Sequence, residues 1–176
     1  MKFAPLEVAG AFRIELEPHS DDRGFFARSW SAEELRSHGL SPVIAEASIS
    51  FNLSRGTLRG LHYQGAPHEE AKVVRCTRGS AFDVVVDLRP SSPSFKRYAA
   101  VTISAENRTA VYVPAGCAHG FETLEDSTEL MYEINTGYQP GFSFGVRWDD
   151  PAFSIPWPLP PTCISDRDRS FADFPG

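Results

Sequence analysis

Val43-Ile-Ala-Glu-Ala-Ser-Ile-Ser-Phe-Asn-Leu53 alternates with a period of two, placing Glu46, Ser48, Ser50 and Asn52 on one face and Ala45, Ala47, Ile49, Phe51 and Leu53 on the other. That period is the signature of a β-strand. A polar row without charges of mixed sign suits either a solvent-facing surface or the inside of a barrel, and the period fits both. Outward from this stretch, further strand-like runs at 71–76, 81–88, 97–104, 109–114 and 128–135 are separated by Gly, Pro, Ser or Asn at spacings of roughly ten residues, the rhythm of an all-β sandwich or barrel. No helix long enough for a parallel crossover separates them, which removes doubly wound α/β folds. Helix signals are short. Ser31-Ala-Glu-Glu34 is a capping box with Gly39 as its stop, predicting a helix near 32–38, and Ser165-Asp-Arg-Asp168 resembles a second box. Beyond Trp148, Pro151, Pro156, Pro158, Pro160 and Pro161 predict an extended arm lying across the surface.

At 176 residues the chain is expected to form a single domain, removing roughly 70% of its unfolded surface from water without disulfide or metal support. Its three cysteines, Cys76, Cys117 and Cys163, have no CxxC spacing, which argues against a disulfide framework or a structural zinc site and suits a reducing, cytoplasmic setting. Neither a secretion signal nor a membrane-spanning run is expected. A net charge of −6 counts against a broad nucleic-acid surface. The cations Arg23, Arg28, Arg55, Arg59, Lys72, Arg75 and Arg78 nonetheless crowd the first half, where they suit a small anionic ligand.

Arg59-Gly-Leu-His62 sets a guanidinium and an imidazole three residues apart. Strict alternation would send them to opposite faces, so a departure at Gly60 is needed to bring both into one cavity. A second histidine, His119, ends the Gly-containing motif Pro114-Ala-Gly-Cys-Ala-His119. Lys72 shares a strand face with Val74 and Cys76 and is a candidate for pointing inward, whereas Tyr132 and Tyr138 flank a polar-aromatic segment suited to a proton donor. His19 and His38 read as solvated. His62, His68, Glu69, Glu70 and His119 are metal-ligand types, but no His-x-His pair places two of them on one strand face, so no metal is expected.

Taken together, Asp22-Arg-Gly-Phe25, Gly56 to Gln64, Lys72-Val-Val-Arg-Cys76, Asp83-Val-Val-Val-Asp-Leu-Arg89, Val113 to Phe121, Arg147-Trp-Asp-Asp-Pro151, Ile155-Pro-Trp-Pro158 and Ile164-Ser-Asp-Arg-Asp168 resemble the dTDP-4-dehydrorhamnose 3,5-epimerase family over almost the whole chain. The resemblance implies a cupin-type antiparallel jelly roll with short peripheral helices, one domain over 1–176 whose 151–176 arm closes the site. It also implies a cofactor-free homodimer acting on a nucleotide diphosphate sugar. By the same resemblance His62 is the general base, oriented by Asp168, Tyr132 is the acid on the opposite face of the sugar, and Lys72 sits by the ketone oxygen. Arg23 and Arg59 correspond to diphosphate clamps, His119 to a wall of the sugar pocket, Tyr138 to an aromatic plate near the nucleotide, and Arg167 to a further cation from the tail. Arg28, Glu46, Ser48 and Ser143 depart from the family's base-recognition pattern and point to another nucleotide or a modified sugar as an alternative. Epimerisation at C3 alone, a 3,4-ketoisomerase, and a metal-dependent or non-catalytic sugar-binding cupin are the competing readings.

Overall fold

A computed structural model describes residues 1–175. Its strands are β1 (Lys2–Pro5), β2 (Phe12–Glu15), β3 (His19–Asp21), β4 (Gly24–Phe26), β5 (Glu46–Asn52), β6 (Thr57–Gln64), β7 (Lys72–Arg78), β8 (Ser80–Asp87), β9 (Tyr98–Ser104), β10 (Ala110–Val113), β11 (Cys117–Thr123), β12 (Thr128–Ile134), β13 (Ser143–Gly145) and β14 (Cys163–Ile164). Two short helices, α1 (Ala32–Ser37) and α2 (Asp166–Arg169), complete the elements, each opened by its predicted cap, Ser31 accepting from Glu34 N and Ser165 accepting from Asp168 N. The strands form one sheet in the order β1-β2-β10-β7-β12-β5 and a second in the order β13-β6-β11-β8-β9, with β14 added parallel to β6. All other pairings are antiparallel, so the all-β jelly-roll expectation holds.

Alternation decides what each sheet buries. Val74, Cys76, Val111, Val113 and Leu130 of the first sheet meet Ala81, Val85, Ile103, Cys117 and Phe121 of the second in one shared core. The intervening residues face outward. On the first sheet Ile14, Val73, Ala110 and Tyr112 are covered by Leu35 of α1 and by Leu40. On the second, Val84, Val86 and Ala118 are covered by Val146, Phe153, Ile155 and Trp157, so the proline-rich arm lies across that sheet as expected. The same parity carries four polar side chains inward among the apolar ones, Lys72 beside Val74, Asp83 beside Val85, His119 beside Cys117 and Phe121, and Tyr132 beside Leu130.

The opening stretch takes the less common of its two options. Ser48 stands directly opposite Tyr132, and Ser50 opposite Leu130, so the polar row of β5 faces the space between the sheets. Its apolar partners are the ones left in solvent, with Ile49 67% and Leu53 76% exposed on an edge strand. Strands β1, β2, β3, β4, β6, β11, β13 and β14 lie outside the predicted runs. Six of these have two to four residues, too few for a period to register, whereas β6 and β11 are long but interrupted by Gly60 and Gly120.

Candidate active site

β6 reconciles its two functional residues by an irregularity at Gly60. Opposite the step from His119 to Phe121 on β11 stands the longer step from His62 to Arg59, so β6 carries one extra residue there. The face flips, and Arg59 and His62 both line one cleft of about 310 Å³. Gly60 has φ +125°, and a Cβ on it would stand 2.6 Å from Gly120 Cα and 2.9 Å from His119 O, so only glycine fits.

His62 is half-buried, and its Nε2 lies 2.7 Å from Asp168 Oδ1. Because a carboxylate only accepts, Nε2 is the nitrogen that donates to Asp168, and in the neutral ring Nδ1 carries the lone pair. Phe171 packs its ring edge-on against the imidazole, with centroids 6.0 Å apart. Asp168 is brought in by the tail. β14 lies alongside Thr57 and Leu58, the α2 cap turns the chain, and Gly60 N donates to Asp168 Oδ2 at 3.2 Å. Burial alone would raise this carboxyl, but the hydrogen bond and charge of His62 and the Gly60 N–H hold it below its ordinary value. With the folded value below the unfolded one, the contact stabilises the fold above the ordinary carboxylate pKa of about 4 and is lost as pH falls through the lowered folded value. Asp168→Asn is therefore expected to flatten the decline of Tm on acidification below about pH 4. Thermal melts across pH measure this, and an unchanged acid limb would show that Asp168 carries no such linkage.

Tyr132 and Lys72 come from the first sheet, His119 and Asp83 from the second. Tyr132, on β12, is half-buried and sits edge-on to His119, with ring centroids 5.9 Å apart. Burial pushes its phenol far above the ordinary range; the Asp83 charge adds to this and Arg59 opposes it, so the hydroxyl keeps its proton. His119 Nε2 bonds Asp83 Oδ2 at 2.7 Å, and both side chains are buried. Lys72, also buried, places Nζ 2.6 Å from Glu70 Oε1. Arg59 and Arg167 are held by neutral acceptors, Arg59 by Asn52 Oδ1 at 2.7 Å and Arg167 by the backbone and hydroxyl oxygens of Ser143 at 3.1 Å. Both guanidinium groups therefore bring net positive charge to the cleft that His62 and Asp168 also line.

Other predicted residues stand apart from that cleft. Glu46 accepts from Tyr138 N at 3.1 Å, and Tyr138 is exposed. Within one chain, Arg23 and Arg28 do not line the His62 cleft. Arg23 pairs with Asp21 at the exposed tip of the β3–β4 hairpin, and Arg28 lies beside Glu34 of α1. The tight β3–β4 turn gives Arg23 its acid, and α1 supplies Glu34 to Arg28. Asp83, Glu70 and Asn52 escaped the reading of the sequence. Asp83 is 36 residues from the histidine it holds, Glu70 was weighed only as a metal ligand, and Asn52 only as one member of a polar row. Among the described residues no group of three or more metal-ligand side chains gathers.

The family model for dTDP-4-dehydrorhamnose 3,5-epimerase matches residues 5–175. The enzyme of that name from Pseudomonas aeruginosa is 39% identical over 180 residues, covering 98% of this chain and 97% of its own. The crystal structure of the Elizabethkingia anophelis enzyme of that name superposes with a TM-score of 0.95 at 33% identity, covering 99% of this chain and 96% of its own. A 3'-monoepimerase from Streptomyces bikiniensis in complex with dTDP-quinovose superposes with a TM-score of 0.88 at 37% identity, covering 96% of this chain and 86% of its own. The chain belongs to the dTDP-4-dehydrorhamnose 3,5-epimerase family.

Proposed function

We propose that this protein inverts C3 and C5 of a dTDP-4-keto-6-deoxyhexose by proton transfer through an enolate. One observation carries the reading: His62 on β6 and Tyr132 on β12 belong to opposite sheets and meet through His119, which stands opposite His62 on β11 and packs edge-on against the Tyr132 ring. In such a sugar both C3 and C5 adjoin the C4 carbonyl, so loss of either proton leaves an enolate with its charge on one oxygen. His62 Nδ1 takes the proton from one face. The Tyr132 hydroxyl returns one from the other, and the centre is inverted. Lys72, held by Glu70, donates an N–H to the enolate oxygen, a contribution on the order of 3 kcal/mol in a water-poor site, with His119 as the polar wall.

Arg59 and Arg167 are proposed to hold the diphosphate, since neither is neutralised by an acid at close range. Glu46, Ser48, Tyr138 and Ser143 are proposed to meet the base. Their departures from the family pattern do not displace dTDP as the nucleotide, given a relative crystallised with a dTDP-sugar. The exposed apolar face of β5 supports a homodimer, because a second copy would cover Ile49, Phe51 and Leu53. In that assembly Arg23 and Arg28 are free to act on the neighbour's substrate. Among the described residues no helix is long and apolar enough to cross a membrane, and three free thiols suit a cytoplasmic site.

Turnover of a dTDP-4-keto-6-deoxyhexose followed by NMR tests the reading. Inversion at both centres is expected, and UDP, GDP or CDP analogues should turn over more slowly. A substrate returned unchanged, or inverted at C3 alone as in the monoepimerase relative, would remove the double epimerisation.

A further inference from the structure

The arm between residues 156 and 161 reads Pro-Trp-Pro-Leu-Pro-Pro. Its four prolines have no N–H to offer. Trp157 N turns back to Ile155 O, and the Trp157 indole N–H goes to Trp148 O. Leu159 N is thus the one backbone donor of this stretch that reaches the sheet, and its acceptor is Glu122 Oε2 at 3.0 Å. Glu122 lies on β11 opposite Leu58 and Phe82, on the outward face beneath the arm, where Phe82 meets the Trp157 ring edge-on at 5.9 Å. It is fully buried, and its Oε1 has no partner. An apolar side chain would avoid the desolvation penalty such a group carries, so packing alone does not account for a carboxyl here.

Just downstream, Thr162 N donates to Gly56 O at 2.8 Å, β14 pairs with β6, and α2 presents Asp168 to His62. We propose that Glu122 is a positioning residue: its carboxyl fixes the arm at Leu159 and thereby sets the register in which Asp168 meets His62. Glu122 lines no part of the His62 cleft. Burial pushes its carboxyl up towards the neutral form, the Leu159 N–H and Arg55 opposing. Glutamine keeps the side-chain length and an acceptor oxygen for the Leu159 N–H.

The kinetic part of the test rests on the proposed epimerisation; trypsin cleavage at Arg167 and Arg169 reads the arm without substrate. Glu122→Leu is expected to speed that cleavage about tenfold and to lower kcat about tenfold with little change in KM. Glu122→Gln should match the parent in both. Adding Glu122→Leu to Asp168→Asn should give no further loss of kcat, because both act through His62. Cleavage of Glu122→Leu at the parent rate, failure of Glu122→Gln alongside it, or losses that multiply in the double variant would each overturn the inference. A parent protein without turnover whose Glu122→Leu variant is cleaved faster would refute the reaction and keep the arm contact.

Discussion

His62→Ala is expected to lower kcat by about 10³-fold, the middle of the range for a lost general base, and to abolish exchange of solvent deuterium into the sugar. The magnitude follows from the geometry. Nε2 is committed to Asp168, so Nδ1 is the only imidazole nitrogen available to the substrate. Nothing nearby replaces it. His119 is committed to Asp83 and is buried on β11, and Lys72 is paired with Glu70. Some stability is lost as well, because Asp168 is left with the Gly60 N–H in place of a charge-assisted partner. Circular dichroism of the variant separates that effect from the chemical one. A folded His62→Ala protein that exchanges deuterium at the parent rate would place the base elsewhere.

Tyr132→Phe is expected to separate abstraction from inversion. The substitution removes one oxygen and keeps the ring packed against His119 and the shared core. His62 can still remove a proton and return it to the same face, so the recovered substrate should gain deuterium. Formation of the inverted sugar should fall by about 10²- to 10³-fold for want of a donor on the first sheet. The high pKa of the phenol is compatible with this role, because the group must arrive protonated and reprotonate from solvent in each turnover. Deuterium uptake by NMR alongside product yield reads both quantities from one sample. Equal losses of exchange and product would mean that Tyr132 acts before the enolate forms and is no separate acid.

The middle strands other than β6 and β11 were legible because each had a long enough run to show a period of two. The run at 81–88 became β8 at Ser80–Asp87, and that at 128–135 became β12 at Thr128–Ile134. Alternation put Lys72 on the face of Val74 and Cys76, which the structure turns inward, and the need for a departure at Gly60 was readable from the spacing of Arg59 and His62 alone. What the period could not decide was which face of β5 is wet. That depends on the register with β12, a contact about eighty residues away. The acids that orient the two histidines were out of reach for the same reason: Asp168 lies 106 residues from His62 and Asp83 lies 36 from His119, and nothing local marks either pair. Only the family resemblance supplied Asp168. It also supplied Arg23 as a clamp without saying that, in a single chain, the β3–β4 hairpin holds it against Asp21 away from the cleft.

The central claim is that opposed base and acid exchange two carbon-bound protons of one sugar with solvent. Incubating the parent protein with a dTDP-4-keto-6-deoxyhexose in D2O tests it most directly. Deuterium at both C3 and C5 of an inverted product is the predicted result. An inverted product that carries no deuterium, or label confined to C3, would contradict it.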